Sequence, residues 1–166
     1  GLIDLDEEND ESQTADRIKK LGAPSNLNFH CLNYSGRKIN NELVDDILNF
    51  CKEKSLDTVI FDSFVRFLDG ANENDAGEIS KIFSCLTLLI KKSITVILLH
   101  HNRKEGIFKS KGGQEMRGSS DILAAVDCHI MIERNEDKLT IIPGKLRKAR
   151  QIGPFIVNVE IKDETA

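Results

Sequence analysis

Thr58-Val59-Ile60-Phe61-Asp62-Ser63 is the stretch that decides the reading of this 166-residue chain: four strand-forming residues run without interruption into a carboxylate and a hydroxyl. A run of this kind belongs to a strand buried on both faces of a parallel sheet, and the polar pair that ends it sits where such sheets collect ligands. Ile94 to Leu99 is a second such run, ending in His100-His101-Asn102, and residues 2 to 6 form a third strand candidate, ending in Asp6-Glu7-Glu8-Asn9. Helical spacing lies between them. Asn40 to Lys52 places Leu43, Val44, Ile47, Leu48 and Cys51 on one face, and Asp75 to Lys91 does the same with Ile79, Ile82, Phe83, Leu86, Leu89 and Ile90. Thr14 to Leu21 carries the thinner spacing Ala15, Ile18 and Leu21, closed by Gly22 and Pro24. Asn28 to Leu32 is a short strand candidate. Alternation of strand and helix predicts an α/β fold with a mostly parallel sheet flanked by helices.

The C-terminal third reads differently. Lys104 to Gly118 is polar, rich in Lys and Gly, and reads as a loop, and Ser119 to Val126 reads as a short helix. Cys128 to Glu133, Leu139 to Ile142 and Phe155 to Ile161 read as strands joined by tighter connections, which predicts antiparallel strands at the C-terminal edge. With 40% hydrophobic and 30% charged residues, residues 1–166 are expected to form one domain with one core.

A net charge of −4 excludes a uniformly basic, nucleic-acid-coating surface. Charge is nevertheless uneven: the first sixteen residues carry seven acids and no base, whereas Arg103 to Arg150 holds eleven Lys and Arg against seven Asp and Glu. Any polyanion contact belongs to that later stretch. Cys31, Cys51, Cys85 and Cys128 show no C-x-x-C spacing and are expected to be buried free thiols of a cytoplasmic protein. No stretch reaches the roughly 18 apolar residues that a membrane span needs, and the first residues are acidic where a signal peptide would be basic. The chain opens on a strand already in progress, Gly1-Leu2-Ile3-Asp4-Leu5, which is the expectation for a fragment.

Three strand ends carry the candidate chemistry. Asp62 follows four buried positions, as does a carboxylate that holds Mg²⁺ through its water; the alternative is a cap on the following segment. If the strand continues through His100 and His101 the two rings point to opposite faces, so a two-histidine metal site is not expected, and with the chain turning out of the sheet there His101 is expected to act alone. His101 reads either as a phosphate-sensing donor or as an ordinary packed or solvated histidine. Lys145 and Arg147, in Gly144-Lys145-Leu146-Arg147-Lys148-Ala149-Arg150, can reach one side and offer charge to a transferring phosphoryl group, or are a solvated basic run. Gly118-Ser119-Ser120 reads as an anion site at a helix start or as a plain N-cap.

In order, Leu5-Asp6-Glu7-Glu8-Asn9 with Arg17-Ile18-Lys19-Lys20-Leu21-Gly22, then Thr58 to Ser63, Val96 to Lys104, Arg117 to Leu123, Val126-Asp127 and Lys145-Leu146-Arg147 resemble the RecA-like ATPases of the RepA, DnaB and KaiC kind, particularly the RepA-like ATPases of plasmids, phages and primase-helicase proteins. The resemblance covers nearly the whole chain. It implies a RecA-like twisted sheet and, residue by residue, Glu8 as the general base that polarises the attacking water. Asp62 then matches the Walker B aspartate holding Mg²⁺ through water, Ser63 a polar neighbour supporting the Mg²⁺ shell, and His101 the strand-end sensor near the γ-phosphate. Lys145 and Arg147 match finger residues that reach the nucleotide of an adjacent subunit. Arg103, Lys104, Lys109, Lys111 and Arg117 fall in the region that faces the channel for nucleic acid. ATP and Mg²⁺ are the implied cofactors, a homo-oligomeric ring of hexamer type and single-stranded DNA the implied partners, and DNA replication or unwinding the implied role. One departure stands out: G-x-x-x-x-G-K-[ST], the loop that cradles the phosphates, occurs nowhere in these residues. The chain is thus expected to be an N-terminally truncated RecA-like domain that binds ATP weakly if at all. The alternatives are a non-translocating ATPase switch of KaiC type and a catalytically silent interaction module.

Overall fold

Four strands, β1 (Leu2–Asp6), β2 (Phe29–Asn33), β3 (Thr58–Asp62) and β4 (Thr95–Leu98), pair in parallel in the order β2-β1-β3-β4. The structure is a computed structural model that describes residues 1–70, 75–101 and 120–158. Contacts divide the chain into two compact units, Gly1–Asp121 and Ile122–Ala166. The four parallel strands lie in the first, where α1 (Glu11–Lys20), α2 (Asn41–Lys54), a single 3₁₀ turn (Phe64–Phe67) and α3 (Ala76–Lys91) connect them.

Side chains of adjacent strand residues alternate between faces, and parallel register keeps paired residues on the same face. Ile3, Leu5, Val59 and Phe61 therefore share one face, and all four are buried. His30, which pairs with Ile3, meets Phe50 of α2 edge-on at 5.2 Å, so α2 covers this side. Leu43, Val44, Ile47 and Cys51 of α2 complete the core with Ile79, Ile82, Leu86 and Leu89 of α3. The opposite face carries Asp4, Asp6, Cys31, Ile60 and Asp62. Here the expectation of burial on both sides of β3 is corrected: Thr58, Ile60 and Asp62 are only half-buried, and the β1 neighbours of Ile60 and Asp62 are the carboxylates of Asp4 and Asp6, which must keep access to polar partners.

Caps set the helix boundaries. Asn40 accepts a hydrogen bond from the Leu43 N–H at 2.9 Å to start α2, and Asp75 accepts from Gly77 and Glu78 to start α3. Asp10 and Gln13 form a reciprocal capping box on α1. That helix begins earlier than its apolar spacing predicts. It buries Thr14 and leaves Leu21 84% exposed, since its inner side meets Asp6 and Asn33 and needs a hydroxyl there. Gly22, at φ +68°, ends α1 as the sequence predicts.

In the second unit β5 (Cys128–Asn135), β6 (Lys138–Leu146) and β7 (Phe155–Asn158) form a separate antiparallel sheet in chain order. β5 and β6 join through Glu136-Asp137, with Glu136 at φ +54°, which a two-residue hairpin turn requires. α4 (Ser120–Ala125) precedes this sheet. All four cysteines are free; Cys51 is buried, Cys31 and Cys85 are half-buried and Cys128 is exposed, so burial holds for one of the four. Among the described residues no helix is long and apolar enough to cross a membrane.

Candidate functional site

After β1 the chain turns to one side to form β2, and after β2 it crosses to the other side to form β3 and then β4. The C-terminal ends of β1 and β3 thus flank a topological switch point, the place where open α/β sheets leave a crevice for ligands. Glu7 and Glu8 lie at one lip, Asp62 and Ser63 at the other. The Glu7 N–H donates to the Asp62 carbonyl at 2.6 Å, which ties the two lips together, and the Asp62–Ser63 peptide is cis.

Asp6 organises the turn. Only 2% exposed, it accepts from the Glu8 N–H at 2.8 Å, from the Asn9 N–H at 2.9 Å and from Asn9 Nδ2 at 2.9 Å, with Thr14 Oγ1 at 3.5 Å. Such a saturated carboxylate replaces solvent by fixed donors. Glu7 turns toward β2, where its carboxylate accepts from Ser35 Oγ at 2.5 Å and from the Gly36 N–H at 2.9 Å. Tyr34, at φ +49°, donates its hydroxyl to the Glu8 carbonyl at 3.1 Å.

These contacts leave the Glu8 side chain directed at the other lip. Its Oε1 accepts from Ser63 Oγ at 2.8 Å and from Arg66 Nε at 3.0 Å. The Arg66 hydrogen bond, then that of Ser63, with the nearby charges of Arg66 and His101, hold the Glu8 carboxyl below its ordinary range. Glu8 is therefore ionised at neutral pH. Asp62 moves the other way: burial, then the charges of Asp6 and Glu8, raise its pKa against the opposing influence of Arg17 and His101. Asp4 is raised to about 6 by burial and by the charges of Asp6 and Asp62, and its Oδ1 is buried without a hydrogen bond among the described residues. Cys31, whose ligand atom lies within 4.8 Å of those of Asp4 and Asp6, is pushed up to about 11, chiefly by burial, so it stays a thiol.

The expected residues fall into three groups. Glu8, Asp62, Ser63 and His101 converge: Glu8 touches Ser63, and His101 is exposed just beyond β4, close enough for its charge to act on both Glu8 and Asp62. His100, which also lies beyond β4 and so is not on a strand as expected, packs edge-on against Phe64 at 6.0 Å. Lys145 and Arg147 lie in the second unit. Lys145 Nζ donates to the carbonyls of Leu123 and Ala124 at 2.8 and 3.0 Å, while Arg147 donates to Asp127 at 2.8 Å and to the Ala124 carbonyl at 2.9 Å. Within the chain both cations thus close the C-terminal end of α4, where carbonyls gather partial negative charge. Arg103, Lys104, Lys109, Lys111 and Arg117, with Gly118 and Ser119, lie outside the described residues.

Sequence reasoning missed Asp6, Tyr34 and Arg66. For Asp6 the signal was present: an aspartate three residues before an asparagine is a local side-chain-to-backbone turn former. For Arg66 it lay in the spacing of Phe64 and Phe67, which anchors a single helical turn around an otherwise misplaced cation.

Comparison with curated proteins yields no match. Residues 4–106 match the AAA domain family, a span that runs from β1 past His101 and takes in both lips of the crevice. This match extends over more than half of the chain and coincides with its acid-lined switch point, and so the chain belongs to the AAA domain family, whose function is of ATPase type.

Proposed function

We propose that this chain supplies the water-activating side of a RecA-like, helicase-type motor domain that hydrolyses ATP and acts on single-stranded DNA. The observation that carries the reading is the Glu8 carboxylate, ionised and held at the switch point opposite Asp62. A general base needs that combination of charge, fixed direction and access to water. In the step proposed, a water oxygen bonds to the γ-phosphorus, the bond from that phosphorus to the β–γ bridging oxygen breaks, and the water proton passes to Glu8. ADP and phosphate leave. His101, at the end of β4, is placed to donate to the γ-phosphate.

The carboxylates fit Mg²⁺. Hard divalent cations take oxygen donors, and Asp4 and Asp62, raised first by burial and then by the charges of neighbouring carboxylates, place several such donors at this end of the sheet. Asp62 would hold the ion through water, with Ser63 beside it. When bound, Mg²⁺ neutralises charge on the β- and γ-phosphates. Lys145 and Arg147 are proposed to serve a neighbouring copy in a hexameric ring, exchanging carbonyl partners for phosphate oxygens. The basic excess between Arg103 and Arg150 supports contact with the DNA backbone through charge rather than base reading.

The test is ATP turnover by the full-length protein with and without single-stranded DNA, beside its Glu8→Gln variant. Expected are stimulation by DNA, retained ATP binding in Glu8→Gln, and turnover in that variant lower by about 100-fold or more. Turnover without DNA stimulation favours a switch. No turnover at all favours a silent interaction module.

A further inference from the structure

We infer that Arg66 is a positioning residue that fixes the direction of the Glu8 carboxylate; the inference rests on Glu8 acting as the base. Its backbone is immobilised from both sides. Phe64 and Phe67 are each 0% exposed, and Phe67 meets Phe61 of β3 edge-on at 5.1 Å. The Phe64 N–H donates to the Leu99 carbonyl at 2.7 Å, the Ile39 N–H to the Phe67 carbonyl at 3.0 Å, and Lys38 Nζ to the Arg66 carbonyl at 2.7 Å. A single 3₁₀ turn pinned at both ends by core aromatics cannot drift, so the guanidinium leaves it from a fixed point.

Arg66 Nε and Ser63 Oγ both donate to the same oxygen, Glu8 Oε1, at 3.0 and 2.8 Å. Two donors converging on one oxygen orient the whole carboxylate. Among the described residues Oε2 takes no hydrogen bond, so it remains the oxygen free to receive a proton. The pair adds little to folding stability, because Arg66 is 61% exposed and an exposed ion pair is screened by water and salt. Its consequence is directional, and a rigid planar donor serves direction better than a flexible ammonium.

Kinetics of Arg66→Gln and Arg66→Lys in the full-length protein test this, with Glu8→Gln measured alongside. Arg66→Gln is expected to lower kcat about tenfold with KM for ATP within about twofold of the parent, the pattern of an interaction that acts on the chemical step. Arg66→Lys is expected to recover part of kcat, because an ammonium still donates to Oε1. Thermal unfolding of both variants is expected to match the parent. An unchanged or raised kcat in Arg66→Gln, with Glu8→Gln inactive, overturns the assignment of Arg66 alone. A rise in KM as large as the fall in kcat overturns it too, since that marks a contact with ATP. Full turnover in Glu8→Gln removes the base and with it the need to position one.

Discussion

The two faces of the four-stranded sheet are built from the same strands and obey opposite rules. On one, Ile3, Leu5, Val59 and Phe61 are sealed beneath α2 and α3; on the other, one residue further along each strand, stand Asp4, Asp6, Cys31 and Asp62. The apolar face gains from every atom taken out of water. The acidic face loses by the same removal unless donors replace the water, and its members differ in whether they have found them. Asp6 has a full set of donors, whereas Asp4 has a buried oxygen with none among the described residues. One sheet therefore holds a face that stabilises the fold and a face whose charge is left for chemistry.

Mutations can sharpen or break that contrast. The largest expected effect is on the apolar face: Phe61→Ala, at a position 0% exposed, is expected to cost about 3–5 kcal/mol in urea unfolding. A loss below about 1 kcal/mol, the ordinary range for substitutions outside the core, would mean that the two faces are not energetically distinct. Next comes Asp6→Asn, which sets an amide against the N–H groups of Glu8 and Asn9 and is expected to cost about 1–3 kcal/mol. Stability unchanged in that variant would show that the turn does not depend on the carboxylate.

Asp4→Asn is the smallest and has the opposite sign. A carboxyl raised from 3.8 to about 6 in the folded state binds its proton more tightly there than when unfolded, so stability falls as pH rises through that interval and stays reduced above it. Removing the charge is expected to stabilise by about 1 kcal/mol at pH 8, after allowance for the partial exposure of Asp4, and to change nothing near pH 3. Denaturation at the two pH values checks it, and equal effects at both would place the cause in packing.

Much of this was legible in the residues themselves. Strand ends, not hydrophobicity, drew attention to the candidate residues: Asp62 and His101 were singled out because polar residues after buried strands collect at one edge of a parallel sheet, and Glu8 because of the family resemblance. Helix α2 was readable from its spacing, since Leu43, Val44, Ile47 and Cys51 are buried as expected. Helix α1 was readable in its latter part and its end, but its start and inner side were not, because its inward residue is Thr14, and a buried hydroxyl that serves Asp6 and Asn33 has no apolar mark. Arg66 escaped for a related reason. A lone exposed cation reads as a solvated one until the fold brings Glu8, 58 positions away in sequence, to its guanidinium.

The segment after β1 is fastened to β3 through Glu7 N–H, to the segment after β2 through the Glu7 carboxylate, and from Tyr34 back to the Glu8 carbonyl. Ordering a backbone residue costs about 1–2 kcal/mol of conformational entropy, and here that cost falls on folding rather than on the arrival of a ligand. Binding calorimetry at this edge would accordingly register little ordering from residues 6–9: their share of the entropy is already spent.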